Sequence, residues 1–301
     1  MSYRNGLMAG QIVHGQKDSY QVEKAISERH KSSIYAAVSC NQGLEVVLKQ
    51  GNMFPKGLER EATIQILIQK AGGHKNILSS YEIMKDQKIV VSPLIKTGTL
   101  GDLLWRKIYL PEDETIEVAL SLCEALDYLH SLGIVYRDLK AGNVLLDGAT
   151  PKLYDFDVTW HDCISNYDIE GCAYGSPVTM APEVFRGGKT DPRQDIYSLG
   201  VLLYEMLSGV SPFRAPTSNE TIKNQLHKKV HPIMGIAPAL NYVIMRALEK
   251  NPDERYQTAA ELKQDLELIK NGIQAPRIEK DIIDITAGDF KKAYLKAIGR
   301  K

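Results

Sequence analysis

The stretch from Tyr136 to Asp157 constrains this chain more than any other. It reads Tyr-Arg-Asp-Leu-Lys-Ala-Gly-Asn-Val-Leu-Leu, a short turn, then Leu-Tyr-Asp-Phe-Asp. Val144, Leu145 and Leu146 form a short apolar run, Asp147-Gly148 is a turn signal, and Lys152-Leu-Tyr is a second run. Apolar runs on either side of an Asp-Gly pair make a β-hairpin. Asn143 then stands at one end of the hairpin and Asp155 at the other, facing one another across one cleft. Asp138 lies five residues before Asn143, with Lys140 between them. Phosphoryl transfer from a nucleotide needs this set: a carboxylate for the hydroxyl proton, an amide and a carboxylate for magnesium, and a cation on the moving phosphate. A surface loop carries one such pattern by chance; both halves at this separation argue for chemistry.

The chain has 301 residues, 44% of them hydrophobic, enough for a sizeable core in one or two domains. A formal net charge of +0 implies no general attraction to polyanions or membranes, so neither nucleic acid nor membrane is expected as a partner. Its cysteines show no Cys-x-x-Cys spacing, which suits a reducing compartment and gives no zinc pattern. The opening Met-Ser-Tyr-Arg-Asn-Gly-Leu-Met-Ala-Gly lacks a signal-peptide apolar run, and no apolar stretch has the length of a membrane span. The expected setting is the cytoplasm.

Tyr20-Gln-Val-Glu-Lys-Ala-Ile, Ser33-Ile-Tyr-Ala-Ala-Val and Glu45-Val-Val-Leu-Lys read as three strands. A helix over about 56–70 is stopped by Ala71-Gly72-Gly73. Residues 77–95 add two strands, the second being Lys88-Ile-Val-Val-Ser-Pro-Leu-Ile. Residues 1–95 are therefore expected as a small five-stranded antiparallel β lobe with one helix. Beyond Gly98, Ile116, Ala119, Leu120, Cys123, Leu126 and Leu129 keep helical spacing, with Thr115 as N-cap and Gly133 past the end. A helix over 195–208 is apolar nearly all round, as a buried helix is; others are predicted over 218–229, 237–250 and 258–271. Residues 96–272 form a larger, mainly α lobe. Residues 273–301 are a C-terminal extension, in which Phe290, Ala293, Tyr294, Ala297 and Ile298 make an apolar stripe. That short helix packs on its own lobe, docks or dimerises, or ends a piece cut from a longer chain.

The Tyr136–Asp157 stretch resembles the catalytic and metal-binding loops of eukaryotic-type protein kinases, H-R-D-L-x-x-x-N and D-F-G. Tyr136 replaces the His and Asp157 the Gly. Further motifs recur in the family's order. Val46-Val47-Leu48-Lys49 resembles the strand of the phosphate-binding lysine, and Met180-Ala181-Pro182-Glu183 matches Ala-Pro-Glu. Gly175-Ser176-Pro177 resembles the Gly-Thr-Pro of serine/threonine kinases, and Asp195-Ile-Tyr-Ser-Leu-Gly-Val the long central helix. Asn251-Pro-Asp-Glu-Arg255-Tyr resembles the late motif whose arginine pairs with the glutamate of Ala-Pro-Glu. The resemblance covers roughly residues 10–270 and is closest to bacterial, Hanks-type serine/threonine members. It implies an α+β, bilobal protein-kinase-like fold with ATP between the lobes.

Roles follow from the resemblance. Asp138 is the catalytic base, Lys140 stabilises the transferring phosphoryl group, and Asn143 and Asp155 hold Mg2+. Lys49 contacts the α and β phosphates and pairs with a helix glutamate. Glu61 is preferred and Glu59 is the fallback, because Gln69-Lys-Ala-Gly-Gly-His74 is longer than usual; Gln65 falls where an apolar residue is common. Ile34, Val47 and Leu145 sandwich the adenine, with Val47 narrowing the slot. Pro93, Leu94 and Ile95 form the hinge, and Ser92 is a small gatekeeper. Arg137 is the residue that binds a phosphorylated activation loop in this family. Thr159, Ser165 and Tyr167 are the candidate acceptors there, and Asp168 or Glu170 the candidate phosphate substitutes. His161, Cys163 and Cys172 share that loop, with a metal site or a disulfide as options. Glu205 on the central helix points weakly to basic substrates.

The nucleotide loop departs furthest from the family. Kinases place glycines there so that backbone amides approach the phosphates; Ile26-Ser-Glu-Arg-His-Lys-Ser-Ser-Ile34 has none. Arg29, His30 and Lys31 are candidates to replace amides with side-chain cations. Asp157 removes backbone freedom and adds a carboxylate near magnesium, as an extra ligand or a solvated charge. The leading reading is an ATP- and Mg2+-dependent serine/threonine protein kinase with a protein substrate, autophosphorylation included. The alternative is a pseudokinase, a nucleotide-binding or scaffolding module, supported by the glycine-free loop and Asp157. A small-molecule phosphotransferase is disfavoured by Met180–Glu183 and Asp195. Ser27→Gly is expected to leave nucleotide affinity unchanged or higher in a binding titration; a clear loss would show that the side chain is a ligand.

Overall fold

A computed structural model describes residues 6–28, 32–51, 55–168 and 172–272. The extension with its Phe290–Ile298 stripe lies outside the described residues, as do Arg29, His30, Lys31 and Glu170. The chain opens with β1 (Ile12–His14), β2 (Ser19–Glu28), β3 (Ser32–Ser39) and β4 (Glu45–Gly51), then α1 (Pro55–Lys70), β5 (Glu82–Met84) and β6 (Ile89–Pro93). They form one antiparallel sheet in the order β1-β2-β3-β4-β6-β5. The five expected strands are there, with a sixth at the edge. β1 was too short for alternation to reveal it.

Strand periodicity sorts the side chains onto two faces. Tyr20, Val22, Tyr35, Ala37, Val46, Leu48, Ile89 and Val91 are buried in a core of their own on one face. Ile34 lies opposite Lys49, Ala36 opposite Val47, and Val47 opposite Ser92. Directly paired residues share a face, so these project the other way, toward α1 and the rest of the chain. α1 stops where expected, at Gly72 and Gly73, both with positive φ.

Helices follow: α2 (Leu100–Lys107), α3 (Glu112–Ser131), a hairpin of β7 (Val144–Asp147) and β8 (Thr150–Leu153), α4 (Pro182–Phe185), α5 (Arg193–Ser208), α6 (Ser218–His227), α7 (Pro238–Ala247) and α8 (Ala259–Lys270). α2 starts at a capping box, Thr99 with Asp102. α3 starts one turn earlier than its sequence suggested. Pro111 occupies the cap, and Glu112, Asp113 and Glu114 complement the positive helix end. Thr115 is instead buried inside the helix, its Oγ1 without a side-chain partner among the described residues. Among the described residues no helix is long and apolar enough to cross a membrane.

α5 runs through the main core, packed against α3 and α7, and α8 packs on those two helices in the same apolar cluster. A methyl group on Gly200 would come within 2.8 Å of Ala247 Cβ, so only glycine lets α5 and α7 approach this closely. Arg255 holds this part to the end of the activation segment. Its two terminal nitrogens donate to the two oxygens of Glu183, each at 2.7 Å. It also donates to the carbonyls of Glu249 and Arg193, and its guanidinium lies over the Tyr197 ring. The Arg255 side chain is 0% exposed, so losing one partner strands a buried charge. Glu183→Ala is expected to destabilise the protein by about 3–5 kcal/mol in urea unfolding; a loss below about 1 kcal/mol, the worth of a surface pair, would show that the pair is not needed for folding.

Candidate active site

The hairpin sets the geometry. Val144 and Leu153 pair across it and are fully buried, anchoring its base. Asn143 precedes the first and Tyr154 follows the second, and the Tyr154 N–H donates to the Asn143 carbonyl at 3.3 Å. Arg137 (φ 70°) and Asp155 (φ 65°) are held in the left-handed region, which costs on the order of 1 kcal/mol each for a residue with a side chain. The loop before Asp138 is fixed by Asp195 on α5, whose oxygens accept from the Tyr136 and Arg137 amides, both at 2.8 Å. Tyr136, in the place of the family's His, is fully buried. Its hydroxyl donates to the Tyr154 carbonyl and its ring packs edge-on against Phe156.

Asp138 is buried, and its two oxygens differ. Oδ2 accepts from Lys140 Nζ at 2.6 Å and from Asn143 Nδ2 at 2.8 Å. Oδ1 has no hydrogen-bond partner among the described residues. Asn143 also donates to the Asp138 carbonyl, so its amide nitrogen is committed and its carbonyl oxygen is left for a cation. Lys140 further donates to Ser176 Oγ at 2.8 Å. Gly175, at φ 118°, lies so close to the Arg137 carbonyl that a methyl group would sit 2.4 Å from it. Glycine is what lets the activation segment close on this loop.

Lys49 connects the sheet to both other parts. Its Nζ donates to Glu61 Oε2 on α1 at 2.5 Å and to Asp155 Oδ1 at 2.6 Å. Glu59, the fallback, is exposed. Gln65 is buried but satisfied: it donates to the Leu78 carbonyl and accepts from the Ser80 amide. Burial pulls the Lys49 ammonium down, but Glu61, Asp155 and Asp157 outweigh it and raise its pKa. Burial pushes the Glu61 carboxyl up to about 7, against the pull of Lys49, with Asp155 and Asp157 adding to the rise. Three carboxylates thus share one ammonium, an excess of negative charge that suits a cation.

Ile34, Val47 and Leu145 are half-buried, as are Ser92, Pro93, Leu94 and Ile95; this is the exposure of cleft walls. Leu145 bridges to Thr99, the N-cap of α2, and the Leu94 amide donates to the Glu45 carbonyl. Thr159, a candidate phosphate acceptor, is fully buried, and its hydroxyl donates to the Tyr136 carbonyl. It is inaccessible as it stands, and of the two candidates whose side chains are described, Thr159 and Ser165, Ser165 is the exposed one. His161 Nδ1 meets Cys163 Sγ at 3.0 Å. Neither option for that loop is formed: all four cysteines are free thiols, and no metal-capable cluster occurs among the described residues.

A hollow of about 960 Å³ opens beside Lys140 and Ser176, rimmed by Trp105, Ile108 and Val210, with Glu205 and Arg214 also in its walls. Burial raises the Glu205 pKa, against the pull of Arg214. Sequence reasoning passed over Trp105 and Arg214, which read as ordinary helix and loop side chains. It also passed over Arg60, a helix arginine with no local signal, whose burial only tertiary closure reveals.

A family model described as protein kinase domain matches residues 20–266. The chain is 32% identical over 227 residues to serine/threonine-protein kinase PknB of Mycobacterium leprae, covering 70% of this chain and 36% of that protein. It is 35% identical over 190 residues to a probable serine/threonine-protein kinase of Clostridium perfringens, covering 62% of this chain and 28% of that protein. To PknL of Mycobacterium tuberculosis it is 29% identical over 267 residues, covering 85% and 67%. The chain therefore spans about a third of the length of the first two relatives.

The raised Glu61 pKa has a measurable consequence. The folded protein binds the extra proton between the ordinary value of 4.5 and about 7. Its contribution to stability is complete below the lower value and is lost as pH rises through the upper one. Glu61→Gln cannot titrate in that window. The stability of wild type minus that of Glu61→Gln is expected to fall by on the order of 1–3 kcal/mol between those pH values, followed by chemical denaturation; a flat difference would rule the shift out.

Proposed function

The chain belongs to the protein kinase family, and from that membership we propose that it transfers the γ-phosphoryl group of ATP to a serine or threonine hydroxyl of a protein. The observation that carries this reading is Asp138, with one oxygen fixed by Lys140 and Asn143 and the other buried and unpartnered among the described residues. The free oxygen takes the hydroxyl proton as the acceptor oxygen bonds to the γ-phosphorus. The bond to the β–γ bridging oxygen breaks, and ADP leaves. Lys140 neutralises charge on the moving group, and its contact with Ser176 ties it to the activation segment. Lys49, held by Glu61, orients the α and β phosphates. Ile34, Val47 and Leu145 hold the adenine, and the backbone of Pro93 to Ile95 meets its edge.

Asn143 and Asp155 would hold Mg2+, which supplies neutralisation of the phosphate charge. The fit rests on the Asn143 side-chain oxygen, left by an amide nitrogen committed to Asp138, and on the surplus of carboxylates around Lys49. With no glycine in the β2–β3 turn, nucleotide contact falls to side chains. The acceptor peptide runs along the hollow beside Ser176, where Trp105, Ile108 and Val210 offer apolar contact. Arg214 already offsets Glu205, so the preference for basic residues is weakened. The setting is the cytoplasm, which supplies ATP and keeps the four cysteines as thiols.

Transfer of labelled γ-phosphate from magnesium-ATP to a generic protein tests the proposal. Asp138→Asn is expected to lower the rate by about 10²-fold or more while the protein stays folded. Labelling that survives in this variant would remove Asp138 from the reaction. No labelling by folded wild type would favour a nucleotide-binding scaffold.

A further inference from the structure

Two buried arginines flank residues already assigned. Arg60 directly precedes Glu61 on α1, and Arg137 directly precedes Asp138. Their side chains are 3% and 9% exposed. Between them stands one carboxylate of the activation segment. Asp168 Oδ1 accepts from Arg60 Nη1 at 2.8 Å, and Asp168 Oδ2 accepts from Arg137 Nη1 at 2.7 Å. Arg60 also donates to the Thr159 carbonyl at 3.1 Å and Arg137 to the Thr190 hydroxyl, while the buried Arg60 Nε has no hydrogen-bond partner among the described residues. The Tyr174 ring lies 5.3 Å from one guanidinium and 5.6 Å from the other, within cation–π range.

We propose that Asp168 is a positioning residue, a permanent anion that holds α1 and the catalytic loop in register without phosphorylation. The inference rests on the kinase reading above. A phosphate would bring nearly two negative charges and three acceptor oxygens to such an arginine pair. Here a genetically encoded carboxylate occupies the position, and Asp195, bonded to the Arg137 amide, supplies the second negative charge nearby. The linkage is continuous: Lys49 to Glu61, one step along α1 to Arg60, across Asp168 to Arg137, one step along the chain to Asp138. Without Asp168 two like charges remain buried at close range, and separation of α1 from the loop relieves them. Such a separation draws Glu61 away from Lys49. Thr159, which lies in the same shell, is buried and already bonded, so it is not the anion's source.

The full chain should be freed of phosphate with a phosphatase, verified by intact mass, and compared with Asp168→Asn and Asp168→Glu. Phosphate-free wild type is expected to keep its rate within about twofold. Asp168→Asn should lose about tenfold or more in kcat, with Asp168→Glu recovering most of it. Amides of residues 55–70 should exchange about tenfold faster in Asp168→Asn while the far α8 is unchanged, a local effect that general destabilisation would not give. A phosphate-free wild type that loses its activity would overturn the proposal, and that arm needs no variant to fold. So would an Asp168→Asn protein with wild-type rate and exchange. If no form transfers phosphate, the kinase reading fails by itself, and the exchange at 55–70 still decides whether Asp168 holds α1.

Discussion

A single buried carboxylate organises the site. Asp195 is 0% exposed and sits in the first turn of α5, the helix most deeply enclosed by the core. A charge there is costly unless its oxygens are filled, and they are: by the Tyr136 amide, the Arg137 amide and His130 Nε2. Those bonds offset the left-handed backbone of Arg137 and so dictate where Asp138 begins. The loop is held by the scaffold rather than by its own sequence. Arg255, which holds Glu183, reaches the same helix by donating to the Arg193 carbonyl and lying over the Tyr197 ring, so the loop before Asp138 and the Glu183 turn both refer back to one rigid element.

The remaining groups reach the cleft from separate elements, and electrostatics sets the terms on which they meet. Lys49 comes from β4, Glu61 from α1 and Asp155 from the hairpin's end. No local propensity holds them together. The Lys49 ammonium stands among three carboxylates, and the carboxyl that yields is Glu61, which is buried. A cleft with this imbalance is not at its electrostatic optimum by itself. It improves when a cation enters, as the proposed binding of a metal-nucleotide requires.

The hairpin, the alternation of β3 and β4, the helix stop at Gly72-Gly73 and the Lys49–Glu61 pairing were all legible from spacing and motif, because each depends on residues close in sequence or on a fixed register. What was not legible depends on packing. Thr115 looked like a cap, but Pro111 and the acidic run behind it start the helix a turn earlier. Thr159 looked like an exposed acceptor, but the segment folds it inward onto the Tyr136 carbonyl. Gln65 looked out of place in a core, yet the Leu78–Ser80 backbone gives it a donor and an acceptor. Arg60 gave no signal at all, since its partners are about a hundred residues away.

The departures from the family pattern share a location. Tyr136 replaces an imidazole with a larger ring that packs on Phe156 and reaches the Tyr154 carbonyl. Asp157 replaces a hinge glycine and lies beside the first turn of α1, where a methyl on Gly57 would be 3.6 Å from its Cβ. α1 has no acidic residue of its own in that turn, so Asp157 brings negative charge to the positive end of the helix. Asp168 ties the same helix one turn further on, through Arg60. Asp157 and Asp168 each add a contact to α1, and neither adds backbone freedom. Together they describe a segment fixed against its helix by side chains, in a chain whose nucleotide loop has likewise exchanged glycine for side chains. At Asp157 the loss of the hinge glycine costs backbone mobility, and the contacts of Asp157 and Asp168 hold the segment against α1 instead.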